Sequence, residues 1–355
     1  MKPIKTYASY SKDRDVRLSS SSGAVFSSLA EFVFSKSGVV YGVAMSDDCY
    51  SAEFISVNNS KELIKLRGSK YLQARVGDTF RRVKDDLISG KLVLFSGTGC
   101  QINGLKKFLG EECDNLICVD VICHGTPSPL LWKKYALSQE NIMGGKLRSI
   151  NFRCKDKSWA DFGMKEVLKS YPECNVKKLF ISKDKDSYMH MFLRDYCLRP
   201  SCYECVAKKE KLSDLTIGDF WGIENVAPSM NDGLGTSLIL IRTEKGKRIF
   251  DHVRNDMRLM EVGYESGVKE NPAEYISCKR PVQRDNFFSD MYTMSFKELE
   301  AKYASPIKYS VKSRIKGKFK NLAKRTIQKI GWRGDGKSNT EYGLLLYFIF
   351  DCKEE

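Results

Sequence analysis

The chain has 355 residues, 42% of them hydrophobic and 29% charged, with a formal net charge of +15. Two domains plus an appendage are expected from that length, and the composition excludes collagen-like, disordered and coiled-coil classes. Residues 301–340 hold twelve lysines and arginines against Asp335 alone, about +11, so the rest carries only about +4 and is no basic nucleic-acid-binding surface.

In chain order, residues 1–18 are polar and read as an edge strand. A Ser/Gly loop then precedes a helix carrying Val25, Phe26, Leu29, Phe32 and Val33 at three- and four-residue spacing, with serines as cap candidates and Gly38 as the stop. "VVYGVAM" and "AEFISV" read as strands and "SKELIKL" as a short helix. "RGSKYLQ" is a loop before an amphipathic helix ending at Gly90. In "KLVLFSGTGCQINGLKKFLG" an apolar strand enters a glycine turn and leaves as a helix. "NLICVDVICHGTPSPLLWKKYA" repeats that plan, with Cys118 as core and Pro129 near the helix start.

Strand, turn and helix repeated in this way predict parallel right-handed crossovers, with ligands at the C-terminal strand ends. Cys100 and Cys123 sit at two such ends. Residues 147–182 suggest antiparallel strands, "SYMHMFLRDYCL" a helix running into a thiol loop, and "DLTIGDFWGIE" and "TSLILIRTEKGKRIFDHV" two strands and a helix. Residues 267–305 carry no clear pattern. Residues 311–330 form an amphipathic stripe of Val311, Ile315, Phe319, Leu322, Ile327 and Ile330 among cations. The fold class expected is α/β (mixed α+β), with a partly parallel sheet and a basic C-terminal helix. The boundaries fall at 1–98, 99–290 and 291–355.

No apolar segment at the start reads as a secretory signal, and the longest apolar run, Leu344–Phe350, is far short of the roughly 20 residues of a membrane span. A cytoplasmic protein is expected, and in a reducing compartment twelve cysteines point to metal or redox chemistry rather than disulfides. Cys202 and Cys205 form a C-x2-C pair able to grip one metal centre. Cys123 is a third candidate ligand, and the fourth is Cys100 or, at C-x4-C spacing before Cys202, Cys197. Cys100 is preferred because it shares Cys123's strand-end position. Spacing alone leaves a four-iron cluster and structural zinc both open.

"SSSGAVFSSLA", "RGSKYLQ", "LVLFSGTGCQINGLKKFLG", "VDVICHGTPSP", "RPSCYEC" and "TIGDFWGIE" occur in the order seen in the family of coenzyme F420 hydrogenase/dehydrogenase beta subunits, which this chain resembles over roughly residues 15–260. The resemblance implies N- and C-terminal modules of that type and a flavoprotein with an iron–sulfur cluster, so a [4Fe-4S] centre is expected on Cys100, Cys123, Cys202 and Cys205, with Cys197 the alternative to Cys100. It favours FAD over FMN, with coenzyme F420 only where the host makes it. Many relatives begin with a cysteine-rich ferredoxin-like segment. No cysteine precedes Cys49 here, so a separate ferredoxin-like donor is expected. Where the family commonly reads "GTPCQ", this chain has Gly99, which loosens the turn before Cys100.

A flavin can pass electrons singly or in pairs, which is the reason to place it beside a one-electron cluster. For its phosphates the candidates are Ser21, Ser22 and Gly23 before the first helix, Ser69, Lys70 and Tyr71 of "RGSKY", and Gly97 and Thr98 of the strand-end turn. In "GDFWG", Asp219 is expected to accept from turn amides and Trp221 to cover a cofactor. His124 is the candidate proton donor. The function expected is two-electron reduction of an unidentified small organic or glycan-related substrate. Some relatives resemble chlorophyll-precursor reductases and others are linked to polysaccharide assembly. The rivals are a zinc-stabilised scaffold and a cluster-only electron-transfer subunit. For the basic tail the readings are a solvated helix, an acidic redox partner, or an anionic membrane surface that would place the protein against the inner face of the membrane.

Overall fold

The computed structural model describes residues 2–304 apart from 171, 173 and 174. The basic stripe expected at 311–330 lies outside the described residues. The described residues form twelve strands: β1 (Lys5–Ser11), β2 (Val39–Met45), β3 (Ala52–Val57), β4 (Ala74–Arg75), β5 (Val93–Thr98), β6 (Leu116–Val121), β7 (Lys146–Cys154), β8 (Gly163–Lys169), β9 (Val176–Ser182), β10 (Leu215–Asp219), β11 (Ser237–Ile241) and β12 (Met257–Glu261). Nine of them make one mixed sheet, in the order β12-β1-β11-β10-β6-β5-β2-β3-β4, and β7-β8-β9 make a second, antiparallel one.

The centre of the large sheet is parallel: β2 pairs with β5, β5 with β6, and β6 with β10. Its strands are continuous apolar runs because both faces are covered. Leu94, Ile117, Val119 and Leu215 join one cluster with the helix Val25–Ser35, while Phe95 and Cys118 join another with the helices Gly99–Leu109 and Pro129–Met143. Cys118 is fully buried, as its apolar setting predicts.

β1 is not an edge strand. It pairs antiparallel with β11 on one side and β12 on the other, so both of its hydrogen-bonding edges are used. Residues 147–182 give the expected antiparallel strands as a three-stranded sheet. Within 267–305 the chain forms the helices Arg284–Thr293 and Phe296–Tyr303, the second opened by a Ser295/Glu298 capping box. The expected module boundary at 98/99 falls where β5 meets the following helix. Among the described residues no helix is long and apolar enough to cross a membrane.

Candidate metal and cofactor site

The register of the parallel centre determines what meets at its C-terminal end. Val121 of β6 is paired with Thr98 of β5 on one side and with Ile217 of β10 on the other. Two residues further along these three chains lie Cys100, Cys123 and Asp219. Three sequence-predicted site residues thus reach one end of the sheet through hydrogen-bond register alone.

Thr98 ends β5 and begins the helix Gly99–Leu109, and its backbone N–H donates to Gln101 Oε1 at 2.8 Å. Its hydroxyl lies 3.1 Å from Cys100 Sγ. Gly99 sits where a Cβ would come within 3.1 Å of both Asp120 Oδ2 and Ala207 Cβ, so the turn is closely packed there. The thiol loop follows the helix Ser187–Leu193: Cys202 Sγ accepts from the Thr126 N–H at 3.4 Å, and the Cys205 N–H donates to Ser277 Oγ at 3.0 Å. Lys208 anchors the loop by donating to the Cys123 carbonyl at 2.5 Å and to the Ala273 carbonyl.

Burial pushes the Cys123 thiol up to about 12, and Cys100, Cys202 and Cys205 all add to that rise. Burial also raises Cys202, with Cys100 and Cys205 as the neighbouring thiols. Cys197 belongs to the main apolar core, fully buried, and burial takes its thiol to about 12. A tetrahedral zinc with bonds of about 2.3 Å would hold its sulfurs roughly 3.8 Å apart. Among the described residues, the one group of three or more metal-type ligand atoms within 4.8 Å of one another is His124, Asp195 and Cys278. Cys100, Cys123, Cys202 and Cys205 are near enough to act on one another's thiols electrostatically.

A second constellation, centred on Arg153, lies beside this end of the sheet. Its guanidinium is buried and meets Asp219 through two contacts, Nη1 to Oδ2 at 2.9 Å and Nη2 to Oδ1 at 3.2 Å. It also lies over the rings of Phe162, at 3.9 Å, and Trp221, at 5.3 Å. Asp219 takes a further bond from Trp159 Nε1 at 3.0 Å, so it accepts from side chains rather than from the turn amides expected. Trp159 and Trp221 stack at 4.8 Å and 11°. Burial raises the Tyr71 hydroxyl, opposed by Arg153. Tyr71 and His124 both pack on Phe192, each at 5.2 Å between centroids, which links this group to the thiol turn. Arg153 Nε is buried without a hydrogen-bond partner.

The phosphate candidates divide. Ser21 Oγ lies 3.1 Å from Ser69 Oγ and accepts from the Ser69 N–H, which joins the two loops. Ser22 Oγ donates to the Thr236 carbonyl and the Gly23 N–H to Ser237 Oγ, so both are spent on the chain entering β11. A Cβ on Gly23 would meet the Ser9 carbonyl at 2.4 Å, and the close strand approach therefore requires glycine. The helix after them starts from Ala24 in a left-handed conformation with no serine cap. Lys70 is neither a solvated charge nor free for phosphate: its ammonium donates to the carbonyls of Lys65, Leu66 and Arg67 at 2.9–3.0 Å, and burial lowers its pKa to about 7. Gly97 and Thr98 lie on the thiol side. Phe220 is buried core.

Arg153 and Lys155 are the residues that sequence reasoning missed. Lys155 donates to the carbonyls of Arg17, Ser22 and Leu234, binding the Ser21–Ser22 loop from beneath. Arg153 lies within β7 and Lys155 directly follows it, with no motif around either. The site sets thiols and a buried cation at one end of a mixed α/β sheet.

Comparison with known proteins agrees. Residues 6–79 match the N-terminal family described as that of the coenzyme F420 hydrogenase/dehydrogenase beta subunit, and residues 90–266 match the C-terminal family of the same beta subunit. The chain belongs to the family of coenzyme F420 hydrogenase/dehydrogenase beta subunits. It is 23% identical over 274 residues to the coenzyme F420-dependent sulfite reductase of Methanocaldococcus jannaschii, covering 74% of this chain and 39% of that protein. It is 21% identical over 271 residues to a subunit of the F(420)H(2) dehydrogenase of Methanosarcina mazei, covering 72% and 65%. The chain thus spans less than two thirds of either relative. The fold is shared with a chain of the F420-reducing [NiFe] hydrogenase complex from Methanosarcina barkeri, at TM-score 0.50 and 14% identity over 77% of this chain and 88% of that one.

Proposed function

We propose that this protein is an iron–sulfur flavoprotein oxidoreductase, taking single electrons from a ferredoxin-like donor and delivering them in pairs to a small organic or glycan-related substrate. The observation that carries this reading is the register of Thr98, Val121 and Ile217, which brings Cys100, Cys123 and Asp219 to one sheet end.

Cys100, Cys123, Cys202 and Cys205 would hold a [4Fe-4S] cluster. Their donor set is wholly thiolate, as such a cluster requires, and the four thiols act on one another electrostatically. The Thr98 hydroxyl and the Thr126 N–H lie against two of the sulfurs. Hydrogen bonds of this kind raise a cluster's potential by stabilising its more negative state.

Arg153, Asp219, Trp159, Trp221 and Tyr71 would hold the flavin, with Ser21 and Ser69 towards its phosphates. The unpaired Arg153 Nε is a donor awaiting an acceptor, and a buried donor of this kind otherwise costs about 1–3 kcal/mol. Bound there, a flavin would supply the exchange between one- and two-electron transfer. The indole pair supplies a flat apolar wall that excludes water, and the ion pair with Asp219 fixes the guanidinium. His124 is left outside this group, because its Nε2 faces Asp195 across from Phe192.

Anaerobic purification followed by an absorbance spectrum and acid release of flavin tests the proposal. Broad iron–sulfur absorption with about one flavin per chain is expected. A colourless, zinc-loaded protein would contradict it, and iron without flavin would reduce it to a subunit for electron transfer alone.

A further inference from the structure

Among the described residues, outside the four-thiol set and the Arg153 group, one cluster of metal-type donors is left unassigned. His124 Nε2 lies 2.7 Å from Asp195 Oδ1, Cys278 Sγ lies 2.7 Å from the His124 carbonyl, and the three side-chain donors all fall within 4.8 Å of one another. They come from three separate segments, so no local motif explains their meeting. We propose that His124, Asp195 and Cys278 form a site for one divalent transition-metal ion of zinc type, distinct from the four-thiol centre.

The donor chemistry selects the ion. One imidazole, one carboxylate and one thiolate suit zinc and its neighbours, whereas magnesium and calcium prefer oxygen alone. A carboxylate and a thiolate together neutralise the charge of a divalent ion. On binding, the Cys278 thiol loses its proton to solvent, while His124 coordinates through Nε2 as a neutral imidazole with its one N–H on Nδ1. Tetrahedral bonds of about 2.0–2.3 Å place donors roughly 3.3–3.7 Å apart, so the His124–Asp195 pair opens by about 1 Å or less and the set closes from its present span.

The surroundings hold the donors in place. Asp195 has φ 64, a left-handed conformation uncommon outside glycine and frequent at ligand clamps. Its carbonyl accepts from the Tyr203 hydroxyl at 2.6 Å, and Arg284 Nε donates to the same hydroxyl at 3.1 Å. The His124 ring is set edge-on against Phe192. With three protein ligands the fourth position would take water, as in open zinc sites. Cys278 lines a cavity of about 500 Å³ together with Tyr203, Glu204, Lys279, Arg280 and Arg284. The site stands independently of what the four thiols bind.

The test uses the full chain, purified anaerobically with its iron counted, then titrated with zinc chloride against a chromophoric competitor and dialysed. About one zinc per chain beyond the iron is expected. Cys278→Ser and Asp195→Asn should each weaken zinc binding at least 10-fold while iron content and circular dichroism stay at the wild-type level. His124→Gln serves as a third ligand variant should either of these misfold. Zinc binding that is unchanged in these variants would overturn the site. Loss of iron in Cys278→Ser would also overturn it, by making Cys278 a ligand of the thiol centre.

Discussion

Arg153 and Asp219 form a two-pronged ion pair joining the end of β7 in the small sheet to the end of β10 in the large one. Arg153 is 4% exposed and Asp219 17%, so neither charge is well solvated by water. The pair sets how the aromatic wall of Trp159 and Trp221 meets the parallel centre.

Arg153→Met is therefore expected to cost about 3–5 kcal/mol, because Asp219 is left as a mostly buried carboxylate without its cation. Flavin content should fall in the same variant. Denaturant unfolding and released-flavin fluorescence check the two effects. A variant as stable as wild type and fully flavin-loaded would remove Arg153 from the site.

The thiol assignments separate through two serine variants. Cys202→Ser should lose iron and stability together, since metal binding is coupled to folding. Cys197→Ser should keep its iron but lose about 1–2 kcal/mol, because it puts a hydroxyl in the apolar core. Iron assay and thermal unfolding distinguish them, and the opposite pattern would make Cys197 the ligand.

A buried carboxylate pair predicts a pH dependence. The Tyr135 hydroxyl lies 2.6 Å from Glu166 Oε1 and 2.8 Å from Asp186 Oδ2, yet it carries one proton for two acceptors. Burial raises Glu166 to about 7 and Asp186 to about 6. A carboxyl raised in the folded state binds more protons there than in the unfolded chain. Its contribution is full below the unfolded value and is lost as pH rises towards about 7. Glu166→Gln should flatten that decline and be more stable than wild type at pH 8 by about 1–3 kcal/mol. Chemical denaturation at pH 5 and pH 8 measures it, and an unchanged slope would contradict it.

Much of this arrangement is legible in the chain. The apolar runs at β5 and β6, each entering a glycine-bearing turn, foretell parallel strands with Cys100 and Cys123 at their ends. What pairs across long separations is not. β1 reads as an edge because its outer partner, β12, comes some 250 residues later and is itself short and polar-faced. Arg153 looks like any strand cation until Asp219, 66 residues on, arrives opposite it. Lys70 follows a glycine and a serine as a phosphate ligand would, but three nearby carbonyls take its donors. Asp195 and Cys278 carry no spacing signal, since each meets His124 through a loop.

Iron located by anomalous scattering in crystals grown anaerobically tests the central claim most directly. The account predicts a compact iron peak bounded by the sulfurs of Cys100, Cys123, Cys202 and Cys205, with flavin density against Trp221 and Arg153. A lone zinc ion at those sulfurs, or no metal between them, would contradict it.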